Sequence, residues 1–180
     1  MTETSRKSYL DHLREDRRYA AMVGLGFSSG MPFLLVYITQ SAWLSEAKVP
    51  LELIGLMSWL TFAYKLKFLW APLLDQYDAP VLSRWLGRRR GWIVASQIAV
   101  AITLAGVAFG DPGARLAWTI FFSAALGVAG ATQDIVIDGW RINAAPLEKQ
   151  PLMGSFSEMG YRVGNLAAGA GAPPICAWRR

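Results

Sequence analysis

The chain has few of the residues that most catalytic and metal sites need. It holds one cysteine, Cys176, and one histidine, His12, among 180 residues. A single cysteine cannot form an internal disulfide, and two ligands at opposite ends of the chain do not make a zinc site. The sequence has no phosphate-binding loop, and no nucleophile stands beside a base. We therefore expect no enzyme activity, no metal and no cofactor.

Charge is also scarce over long stretches of the chain. Of all residues, 53% are hydrophobic, and they lie in blocks of the length that crosses a bilayer hydrocarbon layer about 30 Å thick. Five such blocks are present, at about 19–44, 53–74, 92–110, 116–136 and 152–173. The sequence predicts an all-α integral membrane protein in which short connections join the five spans, and in which residues 1–18 precede the first.

The basic residues indicate the orientation of these spans, because positively charged loops stay in the cytoplasm. With a cytoplasmic amino terminus, eleven lysines and arginines fall inside and two outside. The inner group is Arg6, Lys7, Arg14, Arg17, Arg18, Arg84, Arg88, Arg89, Arg90, Arg141 and Lys149, and the outer group is Lys48 and Arg115. The net charge of +5 does not indicate nucleic-acid binding, since these residues form no continuous stripe.

The end of the chain departs from the expected pattern. Transporter repeats usually come in threes within six-helix halves, whereas we count five spans. Pro173 and Pro174 should interrupt a helix, and two arginines at an outer end contradict the charge rule. We expect an irregular tail over 174–180, and a chain truncated or frameshifted from about Ala168.

Charged side chains inside the spans are candidates for function, because a charge at mid-bilayer costs several kcal/mol without a partner or a wet cavity. Asp134 and Asp138 lie four residues apart on one helical face, where they can exchange protons or pair with a buried cation. In the alternative interpretation Asp138 lies at the surface and Asp134 only bridges helices.

Polar groups on the other spans give further candidates. Glu158 and Arg162 are also four apart, and either pair structurally or leave Arg162 to grip a substrate carboxylate. Lys67 can attract the same anion. Gln40 and Gln133 can bind a sugar hydroxyl or join two helices.

Two other patterns concern packing and gating. Gly26 with Gly30, and Gly160 with Gly164, have the spacing that lets helices approach closely. Asp75 ends the second span, and the run Arg88, Arg89, Arg90 precedes the third. An acid facing such arginines can form an inner gate, and a basic loop also sets the orientation of the spans. We expect the arginines to serve both purposes.

Five strings together resemble the AmpG-type muropeptide permeases of the major facilitator superfamily. They are GFSSGMP at 26–32, KFLWAPLLD at 67–75, GRRRGW at 87–92, QDIVID at 133–138 and GYR at 160–162. The resemblance implies the first five helices of a facilitator bundle in a bacterial inner membrane. It implies a proton-coupled importer of anhydro-muropeptides, linked to peptidoglycan recycling and beta-lactamase induction.

We expect an anionic sugar-peptide and protons as ligands, and a chain that does not transport alone. Arg162, Lys67, Gln40 and Gln133 would bind substrate, whereas Asp134, Asp138 and Glu158 would carry the proton or form salt bridges. Alternatives are a facilitator for another solute, such as an acyl-nucleotide or a drug, and a non-transporting membrane partner or scaffold.

Overall fold

The computed structural model describes residues 11, 13–14, 16–57, 59, 61–79 and 82–178. The regular structure within these ranges is helical throughout. The α-helices are α1 Arg17–Leu34, α2 Gln40–Glu46, α3 Leu51–Met57, α4 Thr61–Leu66, α5 Ala71–Gln76, α6 Leu82–Leu86, α7 Arg88–Ala108, α8 Leu116–Ala144 and α9 Gln150–Trp178. A π-helical turn, Leu35–Thr39, joins α1 to α2, and 3-10 turns cover Lys67–Leu69 and Leu147–Lys149.

Two of the described helices, α7 and α8, are long and apolar enough to cross a membrane. Large apolar side chains are exposed on both, among them Ile98 and Ile102 on α7 and Phe121 and Val128 on α8. Exposed apolar surface of this kind is expected where lipid replaces water as the solvent. The all-helical membrane architecture agrees with the sequence prediction, and the other three spans stay predictions.

The first predicted span, 19–44, contains an irregularity just after Pro32. Asp16 caps α1, since its carboxylate accepts a hydrogen bond from the Arg18 backbone N–H at 2.9 Å. The helix contains Pro32, after which the Leu35 N–H is shared between the carbonyls of Met31 and Pro32 and the π-helical turn begins. Proline donates no backbone hydrogen bond, and interrupted bonding of this kind commonly accompanies a π-bulge.

The second predicted span, 53–74, is not one continuous helix. It is divided among α3, α4, a 3-10 turn and α5. Trp70 ends the 3-10 turn, and Pro72 lies in the first turn of α5, where its missing N–H costs nothing. The helical part of the prediction agrees with these elements, and a membrane span over 53–74 stays a prediction.

The last two helices are longer than the sequence predicted. The fourth predicted span ended at Val136, but α8 continues to Ala144 and so includes Asp138 and Arg141. The predicted irregular tail is wrong for residues 174–178, which continue α9, whereas 179–180 lie outside the described residues. The φ angle that proline fixes is helical, so paired prolines remove backbone bonds without forcing the chain out of a helix.

Four glycines bring α1 and α9 into backbone contact. A Cβ atom on Gly26 would overlap the carbonyl of Ser157, and one on Gly30 that of Tyr161. In return, Gly160 and Gly164 lie against the α1 backbone at Val23 and Phe27. Residue numbers rise together along the contact, so the two helices run parallel. The predicted close approach is confirmed, and van der Waals packing of this type holds helices together in lipid.

A small apolar core closes one end of this contact. It consists of Tyr19, Met22, Ile137, Met153 and Phe156, and the rings of Tyr19 and Phe156 lie 5.0 Å apart. The core joins the beginnings of α1 and α9 to the later part of α8. These three helices therefore form the frame on which the polar residues are placed.

The glycine contact gives a direct test of the packing. Gly30→Ala should destabilise the folded chain by about 1–3 kcal/mol, because the added methyl meets a backbone carbonyl that cannot rotate away. Gly24→Ala on the same helix is the matched control, since no atom lies within 4 Å of its Cβ position. That variant should be neutral or gain up to about 1 kcal/mol of helix propensity. Thermal unfolding in detergent measures both, and equal stability of the two variants would contradict the contact.

Candidate functional site

Asp134 is the meeting point of three separate segments. Its carboxylate Oδ1 accepts a hydrogen bond from the Ser29 hydroxyl of α1, and its Oδ2 lies 3.7 Å from the Lys67 Nζ. The Asp134 side chain is 17% exposed and Lys67 is 35% exposed. A carboxylate held in this way by a hydroxyl and an ammonium can remain charged inside a bundle, and can also exchange a proton with a wet cavity.

The break in the second predicted span places Lys67 at this carboxylate. The 3-10 turn Lys67–Leu69 is fixed to α8 by Trp70, whose indole Nε1 donates to the Thr132 hydroxyl at 3.2 Å. Lys65 lies instead over the Phe62 ring, with its Nζ 5.3 Å from the ring centroid. The two lysines therefore have different partners, and only Lys67 lies at the Asp134 carboxylate.

Gln133 lies next to Asp134 and contacts the neighbouring serine of α1. Its Nε2 donates to the Ser28 hydroxyl at 2.9 Å, and the residue is 1% exposed. Its carbonyl Oε1 is buried and has no hydrogen-bond partner among the described residues. Ser28 and Ser29 thus bind consecutive residues of α8. These serines were not among the predicted site residues, although their position between Gly26 and Gly30 places them near the helix contact.

Gln40 is the buried polar residue at the start of α2. Its Nε2 donates to the Ser123 hydroxyl of α8, and that hydroxyl donates to the Thr119 carbonyl at 2.5 Å. This geometry corresponds to the helix-joining alternative. A substrate role for Gln40 stays a prediction.

A cavity of about 190 Å³ opens beside Asp134, between α1, α8 and α9. Its lining includes Ser29, Asp134, Asp138, Arg141, Glu158 and Tyr161. Asp138 is half-exposed and lies 3.3 Å from Arg141, three residues later on the same helix. Asp138 therefore pairs with Arg141. This half-exposed pair agrees with the alternative interpretation, in which Asp138 lies at the surface. Arg141 was counted only as a basic loop residue because α8 was predicted to end at Val136.

Glu158 and Arg162 form the predicted pair along α9. The Arg162 Nε lies 3.0 Å from the Glu158 Oε1, with the two side chains 75% and 58% exposed. Arg162 can therefore turn from Glu158 to an incoming anion without leaving a buried charge behind. Arg162 is not among the residues that line the cavity beside Asp134, and its substrate role stays a prediction.

Only part of the predicted gate comes together. The Arg89 Nη1 lies 3.3 Å from the Asp75 Oδ1, and the Arg89 guanidinium rests against Gly139 of α8. Arg88 and Arg90 are exposed, and no ion pair is found for either among the described residues. Asp75 and Arg89 thus connect α5 to α7 across α8.

Comparison with known proteins gives consistent matches. The family model described as acetyl-coenzyme A transporter 1 matches residues 20–111. The anhydromuropeptide permease of Escherichia coli strain K12 is 38% identical over 152 residues, which are 84% of this chain and 30% of that protein. Putative transporter AmpG 4 of Rickettsia felis is 34% identical over 158 residues, which are 88% of this chain and 38% of that protein. No solved structure matches.

These relatives confirm the resemblance to AmpG-type permeases that the five strings indicated. The chain spans only 30% to 38% of the length of these two relatives. Their names describe permeases and transporters, not enzymes. The family model covers about half of the chain, from α1 to the loop that follows α7. The chain therefore belongs to the acetyl-coenzyme A transporter 1 family, and it is similar to AmpG-type permeases.

Proposed function

We propose that this chain supplies part of a proton-coupled importer of anhydro-muropeptides in a bacterial inner membrane, with its amino terminus in the cytoplasm. The observation that carries the proposal is the 38% identity to an anhydromuropeptide permease over 84% of the chain. The imported fragments would serve peptidoglycan recycling and beta-lactamase induction. The polar lining of the cavity beside Asp134 supports a hydrophilic solute, since apolar cavities exclude such ligands.

The proposed mechanism uses the two sides of Asp134. A proton from the periplasm neutralises the carboxylate and releases Lys67, which then attracts a substrate carboxylate. After the substrate dissociates, loss of that proton to the cytoplasm lets Asp134 recapture Lys67, so that the substrate does not bind again. Arg162 adds a guanidinium that binds a carboxylate through two parallel hydrogen bonds. Asp138 and Glu158 hold Arg141 and Arg162 in place between cycles.

A second candidate substrate is an acyl-nucleotide such as acetyl-coenzyme A. The match of the acetyl-coenzyme A transporter 1 model to residues 20–111 favours it. Both solutes are anionic, so the same cationic side chains serve either one. Competition between them separates the two candidates.

The anion-binding role of Arg162 can be measured on the chain itself. Arg162→Lys should weaken binding of a fluorescent anhydro-muropeptide about tenfold, because lysine keeps the charge but cannot bind a carboxylate through two hydrogen bonds. Arg115→Lys is the matched control and should leave the affinity unchanged, since Arg115 lies at the far end of α8. Displacement of the probe by a lower concentration of unlabelled acetyl-coenzyme A than of unlabelled anhydro-muropeptide would favour the second candidate.

The proton role of Asp134 needs a transport assay. We would replace the matched part of the Escherichia coli permease with this chain, and express the chimera in cells that lack their own permease. Asp134→Asn should lower gradient-driven uptake at least about tenfold, since an amide neither takes up nor releases a proton. Exchange of labelled for unlabelled substrate should continue, because exchange needs no net proton movement.

Glu148→Gln is the control for this substitution, because Glu148 is an exposed carboxylate in the turn between α8 and α9. Uptake by that variant should stay normal. If the Asp134→Asn chimera still accumulates substrate against its gradient, the proton role is excluded. If it loses exchange together with accumulation, Asp134 serves structure or binding instead.

The same chimera tests the gate. Asp75→Asn and Arg89→Gln should each lower uptake about threefold, a modest effect because the pair is largely exposed. The charge-swapped double variant, Asp75→Arg with Arg89→Asp, should recover most of that loss. Asp78→Asn, three residues later in the exposed loop, is the control and should behave as the parent does. A swapped variant no better than the single variants would contradict the pair.

A further inference from the structure

The turn between α6 and α7 carries a group of exposed residues that the proposed transport cycle does not use. α6 ends at Leu86, Gly87 takes a φ of 78°, and α7 begins at Arg88. Gly91 is buried against α6, and a Cβ there would lie 2.9 Å from the Ser83 backbone nitrogen. α6 is therefore held against the first turn of α7. We call the exposed residues of this turn, Arg84, Trp85, Arg88 and Arg90, the basic corner.

The charge of the basic corner is not neutralised within the described part of the chain. The three arginines are exposed, and no described carboxylate forms an ion pair with any of them. The neighbouring Arg89 does form a pair, with Asp75. The first turn of α7 contains no acidic residue. The corner thus carries three exposed guanidinium groups that no described carboxylate neutralises.

Trp85 adds an apolar element beside these charges. It is 87% exposed, which is unusual for so large an apolar side chain facing water. Tryptophan is enriched where a membrane meets water, because its ring lies among the acyl chains and its N–H remains hydrated. An exposed tryptophan among arginines therefore fits an amphipathic ligand better than a small soluble anion.

The basic corner lies at a depth in the membrane where amphipathic anions are present. α7 is long and apolar enough to cross the membrane, and its first residue is Arg88. The residues just before and within its first turn therefore lie at the depth of the lipid headgroups, whichever side of the membrane they occupy. Guanidinium groups bind phosphate through two hydrogen bonds, and basic clusters beside a span attract anionic lipids.

We propose that the basic corner is a binding site for an anionic phospholipid, with the arginines on the headgroup phosphate and Trp85 beside the acyl chains. The site is separate from the cavity beside Asp134 and does not depend on the transported solute. Bound lipid would fix α6, and through Gly91 the start of α7 that carries Arg89. The lipid would thereby steady the segment that reaches Asp75.

The test titrates the purified chain in neutral detergent with phosphatidylglycerol or phosphatidylcholine of the same acyl chains. Native mass spectrometry gives the affinity for the first bound lipid of each kind. The ratio of the two affinities is the preference for phosphatidylglycerol. The triple variant Arg84→Gln, Arg88→Gln, Arg90→Gln should lower the preference for phosphatidylglycerol at least about tenfold. The control triple variant, Lys48→Gln, Arg115→Gln, Lys149→Gln, removes the same charge from exposed positions elsewhere and should keep the preference.

Circular dichroism verifies that both variants keep the helical content of the parent. An unchanged preference in the corner variant overturns the proposal, as does an equal loss in both variants, which would mean general attraction by net charge. Displacement of the lipid by millimolar inorganic phosphate would make this a free-anion site and also overturn it. Brominated phosphatidylglycerol should quench the tryptophan fluorescence of the parent more than that of the Trp85→Phe variant. Equal quenching in the two proteins would mean that Trp85 does not contact the lipid.

Discussion

The close contact between α1 and α9 is the constraint on which the rest of the polar architecture depends. With glycine at 26, 30, 160 and 164, the two backbones touch. Lipid gives helices no hydrophobic reason to associate, so this contact must be close to be stable. The small side chains of Ser28 and Ser29 lie on the part of α1 that faces α8. They let α8 bring Gln133 and Asp134 within hydrogen-bonding distance.

Polar groups in this framework are held by short-range partners instead of water. Asp134 has Ser29 and Lys67, Gln40 has Ser123, and Gln133 has Ser28 for its amide nitrogen. An unsatisfied polar group inside a membrane costs several kcal/mol, so each pairing both permits the residue and positions it. The Gln133 carbonyl oxygen, which has no partner among the described residues, lies on the residue next to Asp134.

The irregular segments contribute as much as the long helices. The 3-10 turn at Lys67–Leu69 takes Lys67 off a regular helical path and turns it towards α8. The π-helical turn after Pro32 precedes Gln40, which then reaches Ser123. Such departures are often associated with functional positions, because they place a side chain where a regular helix cannot.

The sequence alone determined that the chain is helical and membrane-embedded. The length of the apolar blocks follows from the thickness of the bilayer, and the scarcity of charge within them follows from its apolar interior. The sequence also predicted the pair Glu158 and Arg162 and the glycine spacing that allows a close helix contact, since both depend only on residue spacing within one helix. Tertiary structure decided which residues surround Asp134, because Ser29 and Lys67 are 105 and 67 residues away from it along the chain. It also decided that Arg89, and neither neighbouring arginine, reaches Asp75, since Gly139 leaves room for that one guanidinium. No periodicity encodes such contacts, because they arise where separate helices meet.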